Sequence, residues 1–242
     1  MFVRNWLNYD NKQNKNKEIN FFVPKLTKML NKNVQIDNSN LLMNAMILFM
    51  QKGPHSITLD EIAQRSGISK KTIYKSYTDK TAFVDDVYKQ IIGYTEKRLL
   101  NINDKGENAV AEYKNICKAI MALNKHFNPN VISELKRFYY STYREFKVFR
   151  NLFLPTILSY NIERGIRENI YNSNINSDVF AAHTVYQLEY INKMPTALLQ
   201  DNSKRHIKQQ LVKYILYSLT TAEGKKLVDS VTTTTNNLTY NN

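Results

Sequence analysis

Two glycine breaks divide Leu41–Lys80 into three short stretches with a helical apolar period, and this punctuation constrains the chain more than anything else in it. Leu41, Ala45, Leu48 and Phe49 share one helix face, with Leu42 and Met46 beside it. Gly53 closes that helix as a C-terminal cap residue. Thr58 and Glu61 then form a capping box: the hydroxyl takes an orphan backbone N–H of the next helix and the carboxylate reaches back. Leu59, Ile62 and Ala63 face inward, Gly67 breaks the chain, and Ser69 caps a third helix in which Ile73 and Tyr77 continue the buried face. The spacing predicts a fourth, longer helix from Thr81 to about Leu100, with Phe83, Val87 and Ile91 on one stripe and Val84, Tyr88 and Ile92 next to it.

Two short helices joined through a glycine make a helix-turn-helix. Packing of Ile62, Ala63, Ile68 and Ile73 makes the third helix protrude. From Arg65 to Tyr77 every charged residue is basic (Arg65, Lys70, Lys71, Lys75), and Asp79 is the first acid after them. A phosphate-lined groove requires that asymmetry. The plainer reading is a solvated helix face. Tyr74 also reads as a half-buried packing residue, and Thr58 has a capping duty whether or not it touches phosphate.

Over Leu41–Val87, the spellings LFMQKG and TLDEIAQRSGISKKTIYKSY, followed by Asp79-Lys80, resemble the N-terminal domain of the TetR family of bacterial transcriptional regulators. Further on, Asn128-Pro129, Asn161 to Ile166, Ile170-Tyr171 and Asn176-Ser177-Asp178 resemble a subset of that family found in Bacteroidetes-type bacteria. The resemblance implies an all-α fold: an N-terminal three-helix helix-turn-helix DNA-binding domain followed by a C-terminal helical ligand-binding and dimerisation domain. It places Lys70, Lys71, Thr72 and Ser76 where base edges are read, and Thr58, Tyr74 and Lys80 where phosphates are contacted. Ser69 and Lys75 complete the candidate DNA-contacting set. Tyr77 stands where the family has a core aromatic. Lys71 stands where many members have Gly or Pro, so the operator need not resemble a familiar one.

The remainder reads as helix throughout, with no convincing strand or repeat. Val110, Tyr113, Cys117, Ile120, Met121 and Asn124 trace one face. Asn128-Pro129 is a helix start signal. The helix after it carries Val131, Leu135, Phe138, Thr142 and Phe146, and Pro155 either kinks a long helix or opens a new one. Asn169 is expected to turn left-handed. Ser177 is expected to cap a helix over about Asp178–Met194, stopped by Pro195, and Ser203 to cap a last helix that Gly224 ends. The expected division is a basic, flexible arm over 1–38, the helix-turn-helix domain over 39–88, the helical domain over 89–224, and a polar, fraying tail over 225–242. The arm reads as a passive tail or as a tracker of DNA phosphates; Met29 as the true start is a third reading.

Aromatic residues crowd Phe127 to Tyr160. Such a stripe is plain core, or part of it lines an effector pocket. The candidate pocket residues are Phe138, Tyr139, Tyr143, Phe146, Tyr160 and Tyr186, and Glu134, Arg137, Arg144 and Glu145 either orient a ligand or face water. His55, His126, His183 and His206 show no metal-ligand spacing, and no phosphate loop, nucleophile elbow or HExxH motif occurs, so no metal, no cofactor and no enzymatic activity is expected.

The net charge of +13 makes a polyanion partner plausible, though the excess is diffuse except near Lys70–Lys80. The single cysteine, Cys117, reads as a small buried hydrophobe. No apolar run is long enough to span a membrane and no signal peptide is evident, so a cytoplasmic protein is expected. These readings converge on a dimeric repressor that binds double-stranded operator DNA and is released by a small-molecule effector. The alternative is a DNA-anchored interaction protein controlled by a protein partner.

Overall fold

In a computed structural model of the chain, residues 36–103, 107–126, 130–191 and 204–233 are described. In chain order the helices are α1 (Ile36–Lys52), α2 (Leu59–Ser66), α3 (Lys70–Ser76), α4 (Lys80–Asn103), α5 (Ala109–His126), α6 (Val131–Phe138), α7 (Tyr140–Val148), a π-helical turn (Phe149–Phe153), α8 (Leu154–Arg167), α9 (Ser177–Tyr190), α10 (Lys204–Leu219) and α11 (Ala222–Thr233). Among the described residues the extended pairing is a lone antiparallel bridge between Tyr171 and Thr220, and the fold is all-α. The chain forms two compact units: one contains α1 to α3, α4 as far as Glu96, and α6 and α7; the other contains the rest. The expected boundary at residue 88 therefore does not coincide with a unit boundary, because α6 and α7 pack with the N-terminal helices.

In the first unit α1 begins at Ile36, so the expected arm loses its last three residues to helix; residues 1–35 lie outside the described residues. Leu41, Ala45 and Phe49 are buried along the predicted face. Phe49 meets Phe83 edge-on at 6.1 Å and stacks on Tyr88 at 6.5 Å, which seats α1 on α4. Gly53 takes a left-handed φ of 86° and its N–H closes on Phe49 O at 2.9 Å, as a C-terminal cap requires. Ile57, Ile62 and Ile73 complete the core. Asp79 caps α4, its Oδ1 accepting from Ala82 N at 2.8 Å.

The helix expected from Val131 through Phe146 is two helices. It breaks at Tyr139, where φ is −138° and ψ 64°. No glycine or proline marks the break, and tertiary packing supplies it. Tyr139 goes into the core, while Phe138 leaves it and stacks on the His55 ring, centroids 3.6 Å apart. Pro155 lies in the first turn of α8. It has no N–H to donate, and the π-helical turn Phe149–Phe153 before it lets the chain enter α8 without leaving helix. The Asn128-Pro129 start signal and the Ser203 cap lie outside the described residues; Asn130 holds the cap position of α6, and its side chain makes no capping bond to the first turn.

In the second unit Val110, Tyr113, Cys117 and Ile120 are fully buried, and Tyr113 and Thr184 share a 2.7 Å hydrogen bond that ties α5 to α9. Burial pushes the Cys117 thiol far up, so it remains protonated and inert. Glu112 is buried against Arg164, which also donates to Glu168 at 2.5 Å, and Glu168 accepts from Ala109 N at 3.1 Å. Asn169 is left-handed as expected, with φ 57°. Asn176, not Ser177, caps α9: its side chain accepts from Val179 N at 3.0 Å, and Ser177 is the first helical residue.

Gly224 does not end the last expected helix. The chain breaks earlier, at Thr220-Thr221, and Gly224 lies in the first turn of α11. A Cβ there would meet Ile170 O at 2.2 Å, so the glycine serves a close approach and not a helix end. Residues 225–233, expected to fray, are helical, and Val228 is fully buried.

Candidate nucleic-acid interface

The interface is built on α2, the Gly67 turn and α3. The capping box on Thr58 is complete: Thr58 Oγ1 accepts from Glu61 N at 3.2 Å and Glu61 Oε2 accepts from Thr58 N at 2.7 Å. These bonds hold the Glu61 carboxyl below the usual carboxylate range. Gly67 adopts φ 69°, which lets its N–H reach Gln64 O at 3.2 Å while Ile68 N reaches Ala63 O at 3.0 Å. The chain thereby reverses in one residue. Ser69 Oγ accepts from Thr72 N at 3.2 Å and starts α3.

Ile73, with no exposed surface, anchors α3; on the open side Lys71, Tyr74, Lys75 and Ser76 are exposed, with Tyr74 49% exposed. Thr72 is half-buried. No acid among the described residues pairs with Lys71 or Lys75. The end of α3 is locked to α4 by Tyr77, whose hydroxyl donates to Asp86 Oδ2 at 2.6 Å and whose ring meets Phe83 at 4.8 Å. Burial and the Asp86 charge push the Tyr77 phenol up, so it stays a donor.

Two basic residues are not free as the charge pattern suggests. Lys70 Nζ lies 2.7 Å from Asp60 Oδ2, which holds its ammonium above the usual lysine range. Arg65 Nε donates to Asn44 Oδ1 at 3.2 Å, and Asn44 Nδ2 donates to Ser66 Oγ at 3.2 Å. Arg65 thus fastens α2 to α1. Asn44 carried no signal of this in the sequence beyond its place on a helix facing α2. Thr58, exposed, stands at the start of α2 and Lys80 at the start of α4. Lys80 Nζ donates to His55 O at 3.2 Å, in the loop before Thr58; burial lowers its pKa against the opposing pull of Glu134 and Glu61.

Of the six expected pocket residues, Phe138, Tyr139, Tyr143 and Phe146 belong to one unit and Tyr160 and Tyr186 to the other. Tyr139 and Phe146 are core, Phe146 meeting Tyr88 edge-on at 6.4 Å, and Tyr143 is half-buried. Phe138 is turned onto His55, and Tyr160 and Tyr186, in the other unit, are 51% and 67% exposed. A depression of about 380 Å³ lies instead between α4 and α7, lined by Lys89, Ile92, Glu96, Arg144, Val148 and Phe149 among others. Burial raises Glu96 to about 7. Arg144 and Glu145 line this depression, whereas Glu134 and Arg137 engage the His55 loop and the Phe138 ring.

The family model of the bacterial regulatory proteins of the tetR family matches residues 41–87. An uncharacterised HTH-type transcriptional regulator of Bacillus subtilis, YvaF, is 25% identical over 160 residues, 63% of this chain and 83% of YvaF. In fold the chain is similar to SCO4454, a TetR-family transcriptional regulator of Streptomyces coelicolor, with a TM-score of 0.59 and 13% identity over 74% of this chain and 92% of that one. It is also similar to FadR of Bacillus subtilis, solved in complex with stearoyl-CoA, with a TM-score of 0.54 and 12% identity over 73% and 96%. At such identities these structures speak for the fold alone: a helix-turn-helix head followed by a helical domain. The matched head over residues 41–87 carries its capping box and its glycine turn in register, and the chain as a whole is similar in fold to TetR-family transcriptional regulators.

Proposed function

We propose that the protein is a dimeric repressor that seats α3 in the major groove of an operator and is released by a small-molecule effector. The observation that carries the reading is the open side of α3, where Lys71, Tyr74, Lys75 and Ser76 stand outward from a buried Ile73. In this reading Lys71, Thr72 and Ser76, with Lys70 when it leaves Asp60, meet base edges. Thr58, Ser69, Tyr74, Lys75 and Lys80 hold phosphates. The head is Ile36 to about Tyr88 and the remaining helices serve effector binding and dimerisation, in the cytoplasm.

A dimer is favoured by two unpartnered faces. On α9, Val179, His183, Tyr186 and Tyr190 recur at helical spacing and are exposed; on α10, Tyr214 is 64% exposed with Ile207 and Leu211 half-buried on the same side. Two heads on a two-fold axis read half-sites one helical turn apart, about 10 base pairs. For the effector, the α4–α7 depression joins apolar Ile92, Val148 and Phe149 to charged Lys89 and Arg144, which suits an amphipathic molecule. FadR, solved with stearoyl-CoA, fits that class.

The depression is open and Val148 is 59% exposed beside it. That favours, as a second reading, control by a protein partner docking on this surface. Selection of duplexes from a random pool by the full-length protein, then titration of the recovered duplex with long-chain acyl-CoA and other amphipathic compounds, tests the proposal. Inverted half-sites and release by one such compound support it. Recovery of no duplex contradicts it, and recovery without release by any compound favours the second reading.

A further inference from the structure

α6 lies far in sequence from the segment that defines the family, yet it holds the head at one point. Glu134 Oε2 accepts from His55 N at 3.0 Å, and Oε1 lies 3.4 Å from the donating Ser56 hydroxyl. The carboxylate packs so closely under Gly53 that a Cβ there would stand 2.3 Å from an oxygen. One turn further along α6, Phe138 lies parallel to the His55 ring, centroids 3.6 Å apart and planes 5° from one another. At the other backbone end of the same residue, Lys80 Nζ donates to His55 O at 3.2 Å. The His55 residue is therefore gripped at its N–H by an acid, at its carbonyl by a lysine and on its ring by a phenylalanine. Ile57, fully buried, then carries that position directly to Thr58.

Resting on the reading of α2 to α4 as a DNA-binding head, we infer that Glu134 is a positioning residue for DNA binding. Its carboxylate fixes the Gly53–Ile57 loop, and through that loop it sets Lys80 and Thr58 for phosphate contact. The physical sign separates this from an ordinary charge effect. Removing a negative charge from a protein that binds a polyanion tightens binding, because the phosphates meet less repulsion. A residue that positions the phosphate-facing groups does the opposite when removed: the loop loses its acceptor and Lys80 its fixed partner.

The test uses the full-length protein and the duplex recovered by selection, with affinity read by fluorescence anisotropy at several KCl concentrations. Glu134→Ala is expected to weaken binding about tenfold and to lower the salt slope by about one phosphate contact. Lys80→Ala is expected to do the same, and the double variant no more than the weaker single one, because both act through one loop. Glu134→Gln keeps an acceptor oxygen for His55 N and is expected to regain most of the affinity. Thermal unfolding of each variant separates misfolding from mispositioning. Unchanged or tighter binding by folded Glu134→Ala, or losses that multiply with Lys80→Ala, overturns the inference. Lys71→Ala serves as the control. A loss with Lys71→Ala and none with Glu134→Ala sinks the inference alone; no loss with Lys71→Ala or Lys80→Ala sinks the DNA-binding reading and this inference with it.

Discussion

Asp60 Oδ2 accepts a hydrogen bond from Lys70 Nζ at 2.7 Å, so the first lysine of α3 leans back onto α2. Both side chains are largely exposed, 45% for Lys70 and 65% for Asp60, and water and salt weaken such a pair until a phosphate or a guanine edge competes for the lysine. Asp60→Asn removes the internal competitor and an acid next to the reading face. Operator affinity is expected to rise a few-fold at low salt, with the gain shrinking as salt is added. Unchanged affinity across a salt series would remove Lys70 from the contact set.

Two helical glycines are expected to respond oppositely to alanine. At Gly93 a Cβ would have nothing within 4 Å, so Gly93→Ala gains the ordinary helix benefit of about 0.5–1 kcal/mol. At Gly224 the same benefit is opposed by Ile170 O at 2.2 Å, a backbone atom that cannot swing aside. Overpacking costs about 1–3 kcal/mol, so Gly224→Ala is expected to be destabilising overall. Urea unfolding of the two variants gives both signs directly.

Glu96 gives a pH dependence with a definite sign. Burial raises its pKa from 4.5 to about 7, so the folded state holds the proton more tightly than the unfolded chain does. Its contribution to stability is complete below pH 4.5 and is lost as pH rises through about 7. Glu96→Gln, which cannot ionise, is expected to match the wild-type melting temperature near pH 4 and to exceed it at pH 8. Equal melting temperatures at both pH values would place the carboxylate in open water.

Tyr186 and Tyr214, exposed on α9 and α10, test the dimer. Tyr186→Glu and Tyr214→Glu each place a charge on a face that a second copy would cover, where desolvation is costly. Analytical ultracentrifugation is expected to show a shift to monomer, with operator affinity falling in step. A wild-type sedimentation profile for both variants would move the interface elsewhere.

The head was legible in the sequence because its determinants are local. The capping box on Thr58, the left-handed turn at Gly67 and the Ser69 cap each act within four residues, and the structure carries all three. Gly224 looked like a helix end for the same local reason, yet its cause is Ile170, remote in the chain. The break at Tyr139 and the turning of Phe138 onto His55 likewise come from a partner outside the helix, so periodicity alone ran one helix through both. The expected pocket residues are not decided by spacing either. An aromatic stripe records which residues are large and apolar, and whether they line a cavity or fill a core depends on neighbours that spacing does not encode. The basic run from Arg65 to Tyr77 suggests open charge at Lys70 and Arg65 because their partners, Asp60 and Asn44, lie outside that run.

The proposed function requires the open side of α3 to meet duplex DNA. The most direct test is the affinity of Lys71→Ala and Tyr74→Ala, each checked for retained helicity, for the selected duplex and for versions of it mutated one base pair at a time. A base-reading side chain is worth about 1–3 kcal/mol, roughly tenfold or more in affinity. Lys71→Ala is expected to lose that much and to become indifferent to one base pair, while Tyr74→Ala weakens binding evenly across all the duplexes. Wild-type affinity and wild-type base preference in both folded variants would contradict the assignment of α3 as the reading helix.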